Sequence, residues 1–449
     1  VANSDGSTLT LGRGDSHGSL AHPEPVLVLA LETGRPHAGS VRYRLAELTR
    51  LTLGRGPERR AELMGSELAI RVPDRWMSSQ HARLEPTFGR WTFTDESKNG
   101  SLIDGHATKR LLLEHGSLIE LGHTLFVYYE RLPIEPTVPA ILERVPTDGL
   151  LATQTLLPAW EVAVTRMHQL AASEISILIE GESGVGKPAI ARAIHDQSGR
   201  QGAFIQFSCG ELPAHLVPGE LFGDEDFEGL IRAARGGTLL LDDVGELPAH
   251  SQAMLARVLV ERRLRPLDGS RAVEVDVRII STSERDLDDL IAKGGFRQDL
   301  MAGLAGFRVA VPPLRERRGD LGLLIGAVHR RLFGAAHPGF EIDAARCLFQ
   351  YPWPLDLWEL EQALAAAQIL AGGDLVRIDH LPETVRSGRA PGAPRSLLDE
   401  AEQQLHDQVL AAMREHRGNV SAIARALDKD RKQVQRWMKR FGFDPETFR

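Results

Sequence analysis

The sequence predicts a chain of three folded parts: an all-β sandwich, an α/β domain with a phosphate-binding loop and a small helical lid, and an α-helical end. Three observations carry this reading. Short apolar or alternating runs separated by turn residues fill 25–131, a glycine-rich turn joins an apolar run to a helix start over 175–194, and two short helical stretches with a basic second member lie within 419–441. A length of 449 residues leaves room for about three domains.

Composition narrows the class. Hydrophobic residues at 42% and charged residues at 25% are the balance of a soluble globular protein with an ample core. The two cysteines, Cys209 and Cys347, lack C-x-x-C spacing, so neither a disulfide framework nor a zinc site is indicated and a reducing cytoplasm is expected. No apolar run approaches the roughly eighteen residues that span a bilayer, and the first residues are Gly/Ser-rich rather than basic and then apolar. A net charge of -8 argues against nucleic-acid binding by the whole surface.

Residues 1–24 show no periodicity and are expected to be a disordered tail. From 25 the runs 26–31, 41–45, 51–53, 68–72, 82–85 and 91–94 are separated by Gly, Pro, Asn and Asp, the spacing of a sandwich. Polar residues gather at its turns: Gly54-Arg55, then Ser78, Ser79, Gln80 and His81, then Lys98-Asn99-Gly100. An arginine fork beside hydroxyls makes charge-assisted bonds to a phosphate. In order and spacing, Gly-Arg, Ser-x-x-His and Asn-Gly resemble the forkhead-associated (FHA) domain over 25–131. The resemblance implies that Arg55 and Ser78 hold a phosphothreonine, Asn99 holds the ligand backbone, His81 is structural, and Ser79 and Lys98 are neighbours. Four prolines with mixed charge make 132–150 read as a semi-extended linker.

Over 151–316 strands and helices alternate, as in a parallel sheet wrapped by helices. Gly181, Glu182, Ser183, Gly184, Val185, Gly186, Lys187 and Pro188 follow a buried strand and open a helix. Such a loop turns backbone N–H groups toward phosphate oxygens, and Lys187 adds a point charge. A second apolar strand ends in Asp242-Asp243, where a nucleotide-bound Mg²⁺ is normally held, so Asp242 is the candidate metal residue. ATP with Mg²⁺ is the implied cofactor. Pro188 stands where Ser or Thr is usual and offers neither hydroxyl nor N–H. The stripe Leu321, Leu324, Ile325, Val328 and Leu332, followed by Leu357, Leu360, Leu364 and Ala367, predicts a helical lid over 317–386.

The motifs of this region include Glu220-Leu221-Phe222-Gly223, Phe296-Arg297-Gln298-Asp299-Leu300, Pro312-Pro313-Leu314-Arg315 and Tyr351-Pro352-Trp353-Pro354. With the phosphate loop and the acidic strand they resemble the AAA+ module of sigma-54-dependent transcription activators, the bacterial enhancer-binding proteins. The departures fall on the chemistry that the resemblance implies. The family's strand ends Asp-Glu, and Asp243 is shorter by one methylene; a base about 1 Å out of place costs on the order of a hundredfold. The sensor asparagine is matched to Ser283, and the asparagine restraining the catalytic Glu to Ser208. Arg297 keeps one arginine finger acting in trans, the second falls on Gly303, and the lid arginine becomes Trp358. The family's sigma-contact segment is missing between Asp224 and Arg235. Together these departures imply that hydrolysis is lost or nearly so.

Residues 387–396 read as a second linker, and 397–449 as a DNA-binding end. Leu398, Ala401, Leu405, Val409, Ala412 and Met413 form one apolar stripe, expected to be a core or dimer seam. A helix over 419–427, a break at Asp428-Lys429-Asp430 and a helix over 431–441 make a helix-turn-helix. From Arg417 to Arg440 there are eight Lys/Arg against two Asp, a basic footprint in an acidic chain. Arg431, Lys432, Gln433, Gln435, Arg436, Lys439 and Arg440 are expected to face outward toward DNA. The segment resembles the Fis-type C-terminal domain of the same activators.

The reading favoured is a cytoplasmic, oligomeric DNA-binding transcription regulator that senses phosphothreonine and keeps a degenerate AAA+ core. Its partners would be duplex DNA and a phosphothreonine protein or its own phosphorylated segment, with RNA polymerase a further candidate. The alternatives are a working sigma-54 activator ATPase and a phosphopeptide scaffold whose C-terminal helices only dimerise.

Overall fold

A computed structural model of the chain describes residues 9–11, 21–136, 138–147, 149–224, 227–267, 269, 271–334, 338–388, 409, 412–413, 416, 419–427, 429–431 and 433–434. They divide into two units, Val1–Ala390 and Pro391–Arg449.

The first unit begins with two facing sheets. One orders its strands His106–Ala107, Leu102–Ile103, Leu118–Leu121, Thr124–Ile134, His22–Glu32, Ser40–Arg44 and Ile141–Arg144. The other runs Arg110–Leu112, Arg90–Asp95, Ala82–Thr87, Arg50–Arg55, Glu67–Val72 and Arg60–Met64. Side chains alternate between the faces of a strand, so Leu27 and Leu29 enter the sandwich core with Leu53, Ile70 and Phe93. Val26, Val28 and Ala30 turn to the opposite side and join the core of the α/β domain and lid. That is why the run 26–31 is apolar at every position: the strand is buried on both faces.

Residues 132–150 are therefore not a linker. The strand Thr124–Ile134 runs into them, and Ile141–Arg144 pairs antiparallel with Tyr43–Ser40 at the sheet edge. The tail expectation also needs correction. Leu9–Leu11 pairs in parallel with Phe307, Arg308 and Val309, adding an edge strand to the second domain's sheet, and His22 already belongs to the sandwich.

That sheet has the order Leu9–Leu11, Phe307–Ala310, Ile177–Glu180, Arg278–Ser283, Thr238–Asp242 and Phe204–Ser208, with every neighbour parallel. The phosphate loop leaves the C-terminal end of Ile177–Glu180 and enters the helix Lys187–Gln197.

Sandwich and lid share one core. The lid helix Leu321–Phe333 is buried on more than the predicted stripe, since Gly322, Leu323, Gly326, Ala327 and His329 are buried as well. A Cβ on Gly322 would fall 1.8 Å from the Ala30 carbonyl oxygen, and one on Gly326 would fall 2.3 Å from that of Pro36. The glycines let the helix backbone touch the strand at Ala30 and the 3-10 turn at Pro36. Around this contact Arg346 grips both Glu120 oxygens at 2.7 Å, Arg318 donates to the Gly116 carbonyl at 2.8 Å, and the Gly319 N–H donates to the Tyr129 hydroxyl at 2.6 Å.

In the second unit Val409, Ala412, Met413, Ile423, Ala424 and Val434 form a small buried cluster. The helix Val420–Ala426 starts at Asn419, whose side chain accepts the Ala422 N–H, an ordinary N-cap. Among the described residues no helix is long and apolar enough to cross a membrane.

Candidate phosphate-recognition loops and nucleotide cleft

Three loops at one end of the sandwich bring the predicted phosphate-binding residues together. The Arg55 N–H donates to the Ser78 carbonyl at 2.9 Å, and the Lys98 N–H reaches the Ser78 hydroxyl at 3.3 Å. Gly54 is required here because a Cβ would sit 2.1 Å from the Ser79 carbonyl oxygen. His81 is fully buried; its Nδ1 accepts the Ser78 N–H at 3.0 Å, and its Nε2 donates to the Gly100 carbonyl at 3.3 Å. Burial holds its pKa below the usual imidazole value, which preserves the neutral ring that this bonding needs. The Asn99 amide donates to the Trp76 carbonyl at 3.0 Å. Among the described residues the Arg55 guanidinium, the Ser79 hydroxyl and the Lys98 ammonium have no hydrogen-bond or ion-pair partner and face solvent. A fork, a hydroxyl and an ammonium left free at a loop edge suit a dianionic phosphate.

The nucleotide cleft contrasts with this. It encloses about 790 Å³ between the phosphate loop, residues 149–152 and the lid. Gly184 and Gly186 take the left-handed φ values +83° and +91° that the turn requires, and a Cβ on Gly184 would lie 2.0 Å from the Leu355 carbonyl oxygen. Lys187 is 4% exposed and donates to the Gly181 and Glu182 carbonyls, each at 2.9 Å, with Glu284 at 3.4 Å. Pro188 lies in the first helical turn, where its missing N–H breaks no helical bond but removes one donor from the cradle. Ser183 and Gly186 line the cleft, Val185 is buried beneath it, and Arg315 ties down Glu182 through a contact of 2.6 Å. The curled backbone and lysine fit a nucleotide's phosphates.

The acidic pair is occupied by its own neighbours. Asp242 accepts the Thr282 hydroxyl at 2.5 Å on one oxygen and the Gln206 amide at 3.1 Å on the other. Asp243 has φ +55°, rare for a non-glycine residue, and its carboxylate accepts the Glu284 N–H at 3.2 Å. Burial raises the pKa of this carboxyl.

Ser283, matched to the sensor position, does not line the cleft. It is fully buried, and its hydroxyl donates to the Arg285 carbonyl at 2.8 Å, whereas the next residue, Glu284, reaches the cleft and Lys187. All six residues of Arg278–Ser283 are buried, and Glu284 is the first residue beyond the strand. Arg297 is exposed and paired with Asp299 at 2.6 Å, and position 303 is filled by Leu259, 2.9 Å from a Gly303 Cβ. Trp358 lines the cleft, 57% exposed. Sequence reasoning missed Arg331, which lines the same mouth and pairs with Glu361 at 2.7 Å. Of the proposed DNA-facing residues, Arg431 is exposed and Gln433 half-buried; Lys432, Gln435, Arg436, Lys439 and Arg440 lie outside the described residues.

A parallel sheet with this loop and lid, joined to a sandwich with these recognition loops, defines an AAA+ protein with an FHA domain. Family models agree: the sigma-54 interaction domain matches residues 156–310, the FHA domain 51–122 and the AAA+ ATPase lid domain 315–397. The chain is 35% identical over 325 residues to the response regulator protein PilR of Pseudomonas aeruginosa, covering 67% of this chain and 72% of that protein. To the regulatory protein AtoC of Escherichia coli it is 34% identical over 299 residues, covering 62% and 65%. Among solved structures, NtrX from Brucella abortus in complex with ADP shares 30% identity over 66% of this chain and 70% of that one, with a TM-score of 0.49. The chain belongs to the family of sigma-54-dependent transcription regulators.

Proposed function

We propose that this chain is a DNA-binding transcription regulator that takes a phosphothreonine signal through Arg55, Ser78, Ser79 and Asn99 and whose AAA+ core binds ATP but does not turn it over at a useful rate. The observation that carries the second half is Asp243, a shortened carboxylate in a left-handed backbone, bonded back to the Glu284 N–H. A general base must lie within hydrogen-bond reach of the water it activates. The cleft between loop and lid would hold the nucleotide, with Lys187 and the N–H groups of 183–187 on its phosphates, and Arg331 and Trp358 at the mouth. Bound Mg²⁺ supplies charge neutralisation at the phosphates. Position 188 offers it no hydroxyl, and Asp242 is its one acidic candidate on the strand.

Contact with sigma-54 is also weakened in this reading. Between the helices Val217–Phe222 and Leu230–Ala233 the Asp224 N–H donates to the Phe227 carbonyl at 2.9 Å. The basic stretch 417–440 and the N-capped helix Val420–Ala426 support a helix-turn-helix on duplex DNA, with Arg431 and Gln433 among the base-reading candidates. Family membership favours one other reading, a working activator ATPase.

An ATPase assay of the full chain separates the two. The core should not be excised for it, because removing the sandwich would uncover the lid-helix face at Gly322 and Gly326, which packs directly on the Ala30 and Pro36 backbone. The expected result is nucleotide binding with negligible steady-state phosphate release; turnover at ordinary AAA+ rates sinks the proposal. A polarisation titration of the full chain on genomic fragments tests the DNA half, and no binding at low salt rejects it.

A further inference from the structure

Beside the recognition loops, where the sandwich meets the lid, opens a groove of about 640 Å³. One wall is the stretch that leads into Ser78: Arg75 and Trp76, with His123 stacked on the indole at 5.1 Å between ring centroids. The lid provides the other wall through Phe340, Ile342 and Leu375. Because Asn99 donates its amide to the Trp76 carbonyl, the groove begins one hydrogen bond from a recognition residue.

Its charges are largely spent. Glu32 is taken by Arg35 and Arg59, Glu341 by Arg377 at 3.3 Å, and Asp343 by Arg346 at 2.8 Å. Asp74 is consumed by the N–H groups of Trp76 and His123, at 2.8 and 2.6 Å. Arg75 has no ion-pair partner among the described residues; its guanidinium lies 5.7 Å from the indole centroid. Trp76 is 47% exposed and Leu375 36%, so large apolar surface faces the groove from both domains. Apolar walls with one uncommitted cation suit a bulky apolar side chain with a carboxylate nearby.

We propose that this groove receives residues flanking the phosphothreonine, so that an apolar side chain of the bound peptide lies between Trp76 of the sandwich and Ile342 and Leu375 of the lid. The proposal rests on the phosphothreonine reading above. Trp76 lies two residues before Ser78, and an extended peptide advances about 3.3 Å per residue, so the groove is reached by residues next to the phosphothreonine. The ligand site is then composite: the lid, as well as the FHA domain, selects the ligand.

The test uses the full chain against phosphothreonine peptides in which each flanking position is varied in turn, followed by anisotropy titrations of the best peptide. The expected result is selection for a bulky apolar residue at one flanking position. Trp76→Ala and Leu375→Asp should each lower affinity about tenfold and flatten that selection, while Leu375→Met, which keeps the apolar contact, should preserve both. If Leu375→Asp binds with unchanged affinity and selection while Arg55→Ala does not bind, the composite site is wrong and the phosphothreonine reading stands. If Arg55→Ala binds like the parent chain, the underlying reading itself fails. Should Trp76→Ala abolish self-association of the chain and leave peptide selection unchanged, the groove joins two copies and the proposal is overturned.

Discussion

The recognition loops of the sandwich and the nucleotide cleft use the same kinds of group, yet they hold them differently. In the loops, Arg55, Ser79 and Lys98 project from a rigid frame with no partner among the described residues, while the buried His81 does the structural bonding. In the cleft, Lys187, Asp242 and Asp243 are bonded to the protein itself. A ligand at the first site gains new charge-assisted bonds; one at the second must displace bonds already made. Retained motif letters therefore say less about activity than the partners those side chains keep.

The largest expected effect sharpens that contrast. Arg55→Ala removes an uncommitted guanidinium and should weaken phosphothreonine-peptide binding by about a hundredfold in calorimetry. Lys187→Ala removes a cation already spent on carbonyls, so nucleotide affinity should fall by only about tenfold in a fluorescent-nucleotide titration, with no change in phosphate release. A hundredfold loss there would break the comparison.

Acidification should drive the two regions in opposite directions. His81 has a folded pKa below its ordinary value, so the folded sandwich loses stability as pH falls below about 6.5, and the Ser78 N–H loses its acceptor. Asp356, buried and holding the Leu314 and Leu357 N–H groups at 2.8 and 3.0 Å, is pushed up to about 6 by burial. Its folded pKa is raised, so the stabilisation is full below the ordinary carboxylate range and is lost as pH rises through about 6. Between pH 7 and 5, hydrogen exchange should slow around 351–357 and quicken around 78–81; Asp356→Asn should flatten only the first trend. The smallest change expected is from Asp243→Glu, which should raise phosphate release by no more than a few fold, because position 303 and the lid arginine position remain unsuited. Full restoration would show that the missing methylene was the whole defect.

Both sites were legible in the sequence because each rests on local turn chemistry: Gly54-Arg55 and Asn99-Gly100 in one, 181–187 in the other. The joint between the domains was not legible. Large apolar residues carry the helical periodicity and so mark the stripe from Leu321 to Leu332, but the face against the sandwich is made by Gly322 and Gly326, which carry no apolar signal. Ile141–Arg144 is four residues long within a proline-rich stretch, too short for alternation to register. That Ser283 is buried while Glu284 reaches the cleft was not legible either, because it depends on where the strand Arg278–Ser283 ends.

The 1.8 Å separation between a hypothetical Gly322 Cβ and the Ala30 carbonyl oxygen also has an evolutionary consequence. A methyl group can enter at 322 only if the facing strand backbone moves, so neither surface can drift alone. An FHA domain grafted from another protein onto this lid would meet a helix cut to a different strand, and the two segments are expected to be inherited as a pair.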